Sequence, residues 1–119
     1  MGKKHQTNIK NTDRRVRNTR NQLTDLIVHE QLKLPHTRAK EVSRHMDRLI
    51  TLGKKNTLSS RREAAKILRN VKVSDTQTAL QKLFVIAQKY QNRNGGYTRV
   101  LRLDNRKGDG AQISIVMFV

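Results

Sequence analysis

Between Thr37 and Gly53 the apolar residues Val42, Met46, Leu49 and Ile50 recur at i, i+4, i+7 and i+8. That is one stripe of an α-helix, whereas a strand would divide the same residues between two faces. Thr37 has the side chain to cap the first turn and Gly53 the freedom to make a left-handed stop, which predicts a helix over 37–53. Arg38, Arg44 and Arg48 fall off the stripe, with Glu41 and Asp47 among them. One side of this helix requires a hydrophobic core and the other is cationic, and the remaining segments divide in the same way.

Charge indicates what lies on the cationic side. The chain has 26 Lys and Arg against 9 Asp and Glu, a formal +17, so its own field opposes compaction until a polyanion relieves it. A membrane-surface binder needs Trp or Phe on an amphipathic helix, and there is no Trp and only two Phe. Among RNA, DNA, an anionic membrane and an acidic protein, nucleic acid therefore leads. Absence of cysteine excludes disulfides, thiolate metal sites and thiol catalysis. No apolar run approaches the ~18 residues of a spanning helix, and the N-terminus lacks the apolar centre of a signal peptide. The chain reads as cytoplasmic, without membrane or small-molecule partners.

In chain order, residues 1–11 read as a basic arm that orders on RNA, and 12–119 as one domain. A first helix is expected from Thr12 or Asp13 to about Gln31, with Val16, Leu23, Leu26 and Ile27 inward. Arg14, Arg15, Arg17 and Arg20 crowd its first half, where cations oppose the helix dipole unless phosphates lie alongside. Pro35 ends that helix and makes Lys33–His36 an edge strand or connector. A third helix is expected over Leu58–Asn70, started by Ser60 with Glu63 or by Thr57, and a fourth over Asp75–Tyr90 behind a Ser74–Gln77 capping box. Tyr97–Leu103 alternates, Asp104–Gly110 is turn chemistry, and Ile113–Val119 returns as a strand. Two strands alone are marginal, so Lys33–His36 is the candidate third. The expected fold is α+β in two layers: helix, short strand, three helices, then a C-terminal two-stranded hairpin forming a small mixed sheet.

Catalysis finds no footing. His5, His29, His36 and His45 lack metal-ligand spacing, and Glu41 with His45 reads as a surface contact. There is no nucleophile elbow, P-loop or dinucleotide fingerprint, so neither enzyme activity, cofactor nor metal is expected. Phosphate contacts are expected from Lys3, Lys4, Lys10, Arg14, Arg15, Arg17 and Arg20 on the arm and first helix. Arg38, Lys40, Arg44, Lys54, Lys55, Arg61 and Arg62 extend the set through the middle, and Arg99 to the hairpin. Guanidinium forks and ammonium groups both suit phosphate oxygens. Tyr97, beside Gly95-Gly96, either stacks on a base or closes the core. A helix-turn-helix reader of DNA, built from the 37–53 and 58–70 helices, is the alternative binding class, and an RNA-processing enzyme is the alternative outside binding.

Several stretches in this order are familiar: Arg38-Ala39-Lys40-Glu41, Leu49-Ile50-Thr51-Leu52-Gly53, Arg61-Arg62, Lys82-Leu83-Phe84 and Gly95-Gly96-Tyr97-Thr98-Arg99. His29-Glu30 and the Arg106–Asp109 segment fit as well. Over nearly its full length the chain resembles bacterial large-subunit ribosomal protein seventeen. The resemblance implies the α+β order above and a structural role in the large subunit. It implies binding to 23S rRNA on the outer side, near the peptide exit region and beside other ribosomal proteins, with no cofactor. The chain departs from the family pattern at Leu34-Pro35, around Thr7–Asn11 and at Met117, and the first of these leaves the pairing of the short strand open.

Overall fold

The computed structural model describes residues 2–105 and 107–119, with side chains from Arg14 onward except at Arg15 and Arg106. Helix α1 (Gly2–His29) turns through Glu30, at φ 67, into strand β1 (Gln31–Pro35). Helices α2 (His36–Lys55) and α3 (Leu58–Ile67) follow. A minimal hairpin of β2 (Lys72–Ser74) and β3 (Gln77–Thr78) then leads to helix α4 (Ala79–Gln88), and strands β4 (Thr98–Asn105) and β5 (Gln112–Phe118) close the chain.

Helix α2 is the centre of the molecule. Ala39, Val42, Met46, Leu49, Ile50 and Gly53 are buried on one stripe, including all four residues whose spacing predicted it. It packs on the other three helices and on every strand of the main sheet. Both expected ends move outward. Helix α2 starts at His36, one residue before Thr37, behind Pro35 at φ −52 and without a side-chain cap. It stops at Asn56, whose φ is 49 and whose N–H reaches the Leu52 carbonyl. Gly53 is therefore not the stop. A Cβ on Gly53 would lie 2.7 Å from Ala87 Cβ, so its missing side chain is what lets α2 and α4 approach.

Helix α1 begins at Gly2, well ahead of Thr12, because nothing between them interrupts helical propagation. Arg14, Arg17 and Arg20 consequently sit in mid-helix, and the dipole argument for phosphates at that end lapses. Leu23, Leu26 and Ile27 are buried as expected, but Val16 is 45% exposed because the core lies under the C-terminal half of α1. Buried Thr24 joins α1 to the chain after α3: its hydroxyl donates to the Arg20 carbonyl at 2.9 Å and accepts from the Arg69 N–H at 3.0 Å.

Helix α3 uses the Thr57 start. Ser60 N–H donates to the Thr57 hydroxyl, and the Thr57 N–H donates back to the Ser60 hydroxyl. Helix α4 uses a later capping box than expected, Thr78 with Gln81. Ser74–Gln77 instead bends the β2–β3 hairpin, which leaves Val73 free to pack on the core.

The short strand is the third strand of the main sheet, although it starts at Gln31 rather than Lys33. The order is β1-β5-β4, with Leu34 opposite Ser114 and Arg99 opposite Met117. The sheet expected to be mixed is antiparallel throughout, because β5 runs between β4 and β1 and opposite to both. Pro35 is tolerated because it ends an edge strand, where its missing N–H need not leave a ladder bond unmade. Helix α2 covers one face of this sheet, on which Ser114 and Val116 are fully buried.

Candidate nucleic-acid interface

Exposed cations lie on all three of the first helices. Arg14, Arg17 and Arg20 project from α1, Lys40, Arg44 and Lys55 from α2, and Arg62 from α3. Arg48 is exposed too and continues Lys40 and Arg44 at i, i+4 and i+8, along the side of α2 opposite its buried stripe. The predicted set omits Arg48, although its four-residue period was readable. None of Lys40, Arg44, Arg48, Lys55 or Arg62 is in an ion pair among the described residues. The ion pairs that do form there, Arg38–Glu41 at 2.7 Å and Lys82–Glu30 at 3.7 Å, are each neutral and leave the whole net +17 in place.

Other predicted phosphate binders are turned back onto the fold. Arg38 ties α2 to α1: Nη1 donates to Glu41 at 2.7 Å, Nε to Gln22 at 2.8 Å and Nη2 to Thr19 at 2.7 Å. Glu41 thus pairs with Arg38 rather than with His45. Lys54 donates to the Tyr97 hydroxyl at 2.9 Å and to the Arg93 carbonyl, with its ammonium 5.1 Å from the Tyr97 ring centre. Arg61 donates from Nε to the Asn56 side chain at 3.0 Å and lies 5.3 Å from the centre of the Phe84 ring.

Tyr97 is placed for closing the core, not for stacking on a base. It is 2% exposed, its ring leans on Tyr90 at 5.4 Å, and its hydroxyl donates to the Arg93 carbonyl. Gly96, at φ +63, makes the turn that delivers this ring inward. Arg99 is exposed, on the sheet face away from the helices. Lys3, Lys4, Lys10 and Arg15 lie outside the residues whose side chains are described.

The most chemistry-like cluster joins the sheet to the start of α2. His36 Nδ1 and the Ser114 hydroxyl are 2.7 Å apart, and Arg102 Nη2 stands 3.4 Å from His36 Nε2. A guanidinium only donates, so this contact favours the tautomer with Nε2 accepting and the proton on Nδ1, facing Ser114. Partial burial, then the charges of Arg102 and Lys40, hold His36 below the usual histidine range. Among the described residues no cluster of His, Asp and Glu has a metal-holding arrangement, and no helix is long and apolar enough to cross a membrane.

The Ribosomal protein L17 family matches residues 18–119 of the chain. The large ribosomal subunit protein bL17 of Mesoplasma florum is 51% identical over 111 residues, covering 92% of this chain and 93% of its own. The bL17 of Mycoplasma capricolum is 52% identical over 110 residues, covering 92% of each. That of Staphylococcus epidermidis is 50% identical over 113 residues, covering 91% of this chain and 93% of its own.

Proposed function

The chain belongs to the ribosomal protein L17 family, and from that membership we propose that it is a structural constituent of the bacterial large ribosomal subunit that binds and stabilises folded 23S rRNA without catalysis. The observation supporting RNA as the partner is the separation of cations described above. Arg14, Arg17 and Arg20 of α1, Lys40, Arg44 and Lys55 of α2 and Arg62 of α3 stand in solvent, on three elements fixed to one core. Such a distribution suits embedding among several RNA segments more than insertion into one groove. Lys3, Lys4 and Lys10, on the basic segment 1–11, and Arg15 are assigned to the same RNA by charge. The placement implied by the family resemblance is the outer side of the subunit, near the peptide exit region and beside other ribosomal proteins.

Sucrose-gradient fractionation of a cell lysate, with and without a high-salt wash, tests this. Affinity resting on roughly six to ten phosphate contacts falls by about 10³–10⁵ between 50 and 200 mM salt. A merely adsorbed cationic protein is therefore stripped, whereas one interlocked with folded rRNA stays at one copy per large subunit. Release by the wash, or migration at the top of the gradient, contradicts the proposal and favours the DNA-binding alternative.

A further inference from the structure

Helices α3 and α4 both pack on α2 but hardly on each other, and a groove of about 320 Å³ is left between them. Arg61 of α3 and Leu80, Gln81 and Phe84 of α4 line it. Leu80 also lines a smaller hollow of about 90 Å³ beside Arg69, so the groove runs on past the end of α3. Of the four aromatic side chains, Tyr97 lies inside the buried cluster and Tyr90 and Phe118 pack against it. Phe84 instead stands half-buried at this groove, beneath the Arg61 guanidinium.

Two side chains here are held in place and still have donors unused. Arg61 Nε donates to the Asn56 side chain and the guanidinium rests on Phe84, but neither terminal nitrogen has a partner among the described residues. Gln81 closes the capping box of α4 by accepting the Thr78 N–H with Oε1 at 2.9 Å. That bond fixes the amide, and its two Nε2 hydrogens have no partner among the described residues. The groove therefore joins an apolar and aromatic wall to an edge that only donates.

We infer that this groove is a site for a guanine nucleotide, either an unpaired guanosine of RNA or the free nucleotide. The inference deepens the RNA-binding reading and rests on it for the RNA-borne source. Bases outside a helix stack on aromatic rings and on guanidinium planes. Guanine offers two adjacent acceptors, N7 and O6, whereas the same edge of adenine or cytosine carries an amino donor and that of uracil a single acceptor. Ligand sites run from about 300 to 1,000 Å³, and this groove is at the small end, with room for one base and not for a duplex. Arg69, exposed and in no ion pair among the described residues, stands at the continuation of the groove for the phosphate. An acidic peptide would satisfy the donors but has no ring to cover Leu80 and Phe84.

The test titrates the full chain with GMP and with AMP, which carry the same phosphate and so feel the same attraction to a +17 surface. Binding is read from the NMR signals of the Phe84 ring. GMP is expected to saturate the shift at a concentration roughly tenfold lower than AMP, and inorganic phosphate is expected to leave it unmoved. Gln81→Glu keeps the oxygen that accepts the Thr78 N–H, so α4 retains its cap while the amide donors are lost. The preference for guanine should disappear in that variant and in Arg61→Lys. Single-stranded oligouridine carrying one central guanosine or adenosine separates the sources. Preference in both pairs assigns the site to free and RNA-borne nucleotide alike, and preference in one pair assigns it to that source. Equal binding of guanine and adenine in both pairs, a preference that survives Gln81→Glu, or a shift produced by an aspartate peptide and by neither guanine probe overturns the inference. These titrations use the free chain, so the ribosomal reading stands or falls separately on the gradient.

Discussion

The ends of α2 and its middle carry the same kind of residue to opposite uses. Arg38 near the start is bound to Glu41, Gln22 and Thr19, and Lys54 near the finish is bound to Tyr97 and Arg93. Between them Lys40, Arg44 and Arg48 face solvent without ion pairs among the described residues. What separates the two sets is position. At its ends α2 meets α1 and the turn before β4, where oxygens are within reach of a long cationic side chain. Its middle turns on the outer side make no ion pair among the described residues. A cation in this chain is thus a clamp where neighbouring elements supply acceptors, and stands in solvent where they do not.

That contrast is most severely strained by removing the outward row. Lys40→Gln, Arg44→Gln and Arg48→Gln together should lower the salt slope of affinity for large-subunit rRNA by about three, one per cation, measured by filter binding across a salt series. Surface changes of this kind ordinarily alter stability by no more than ~0.5 kcal/mol, so the urea midpoint should hardly move.

Substitutions on the inward side should do the reverse. Gly53→Ala adds a methyl where Ala87 Cβ stands 2.7 Å away. Overpacking of this kind costs about 1–3 kcal/mol, enough to outweigh the ~1 kcal/mol gained in helix propensity. Urea unfolding should show a net loss, and Ala87→Gly in the same chain should return part of it, with the salt slope unchanged throughout. Tyr97→Phe removes the hydroxyl shared with Lys54 and Arg93, and should lower stability by about 0.5–1.5 kcal/mol, again without altering the slope.

The smallest effect is expected at His36. Its folded value is lowered by partial burial and by Arg102 and Lys40, so over the histidine range the unfolded chain binds more protons than the folded one. Stability is then complete above the ordinary histidine value and falls as pH drops through it. Urea midpoints at about pH 8 and pH 5.5 should differ in that direction, and His36→Gln should narrow the difference. An unchanged difference in the variant would assign the pH response to other groups.

Much of this architecture was legible in the sequence because periodicity reports burial directly. The stripe of Val42, Met46, Leu49 and Ile50 named the hub helix, and the Tyr97–Leu103 alternation with Ile113–Val119 named the hairpin. Ends were less legible because their signals recur. Ser74–Gln77 and Thr78–Gln81 have the same capping spacing, yet the second caps α4 while the first closes the β2–β3 hairpin, a choice the local sequence does not signal. Gly53 has the composition of a stop but serves as a contact point for α4, and that depends on Ala87, far away in sequence. The cations were the hardest to sort. Nothing local distinguishes Lys54 from Lys55, yet one reaches Tyr97 and the other faces solvent.

Those lysines offer the most direct measurement. Acylation by an amine-reactive reagent, read residue by residue by mass spectrometry, would compare the free chain with salt-washed large subunits. In the free chain Lys40 and Lys55 should react quickly and Lys54 slowly. In the subunit Lys40 and Lys55 should become protected while Lys54 stays slow. Fast labelling of Lys40 and Lys55 in both states would contradict the assignment of the outward cations to rRNA.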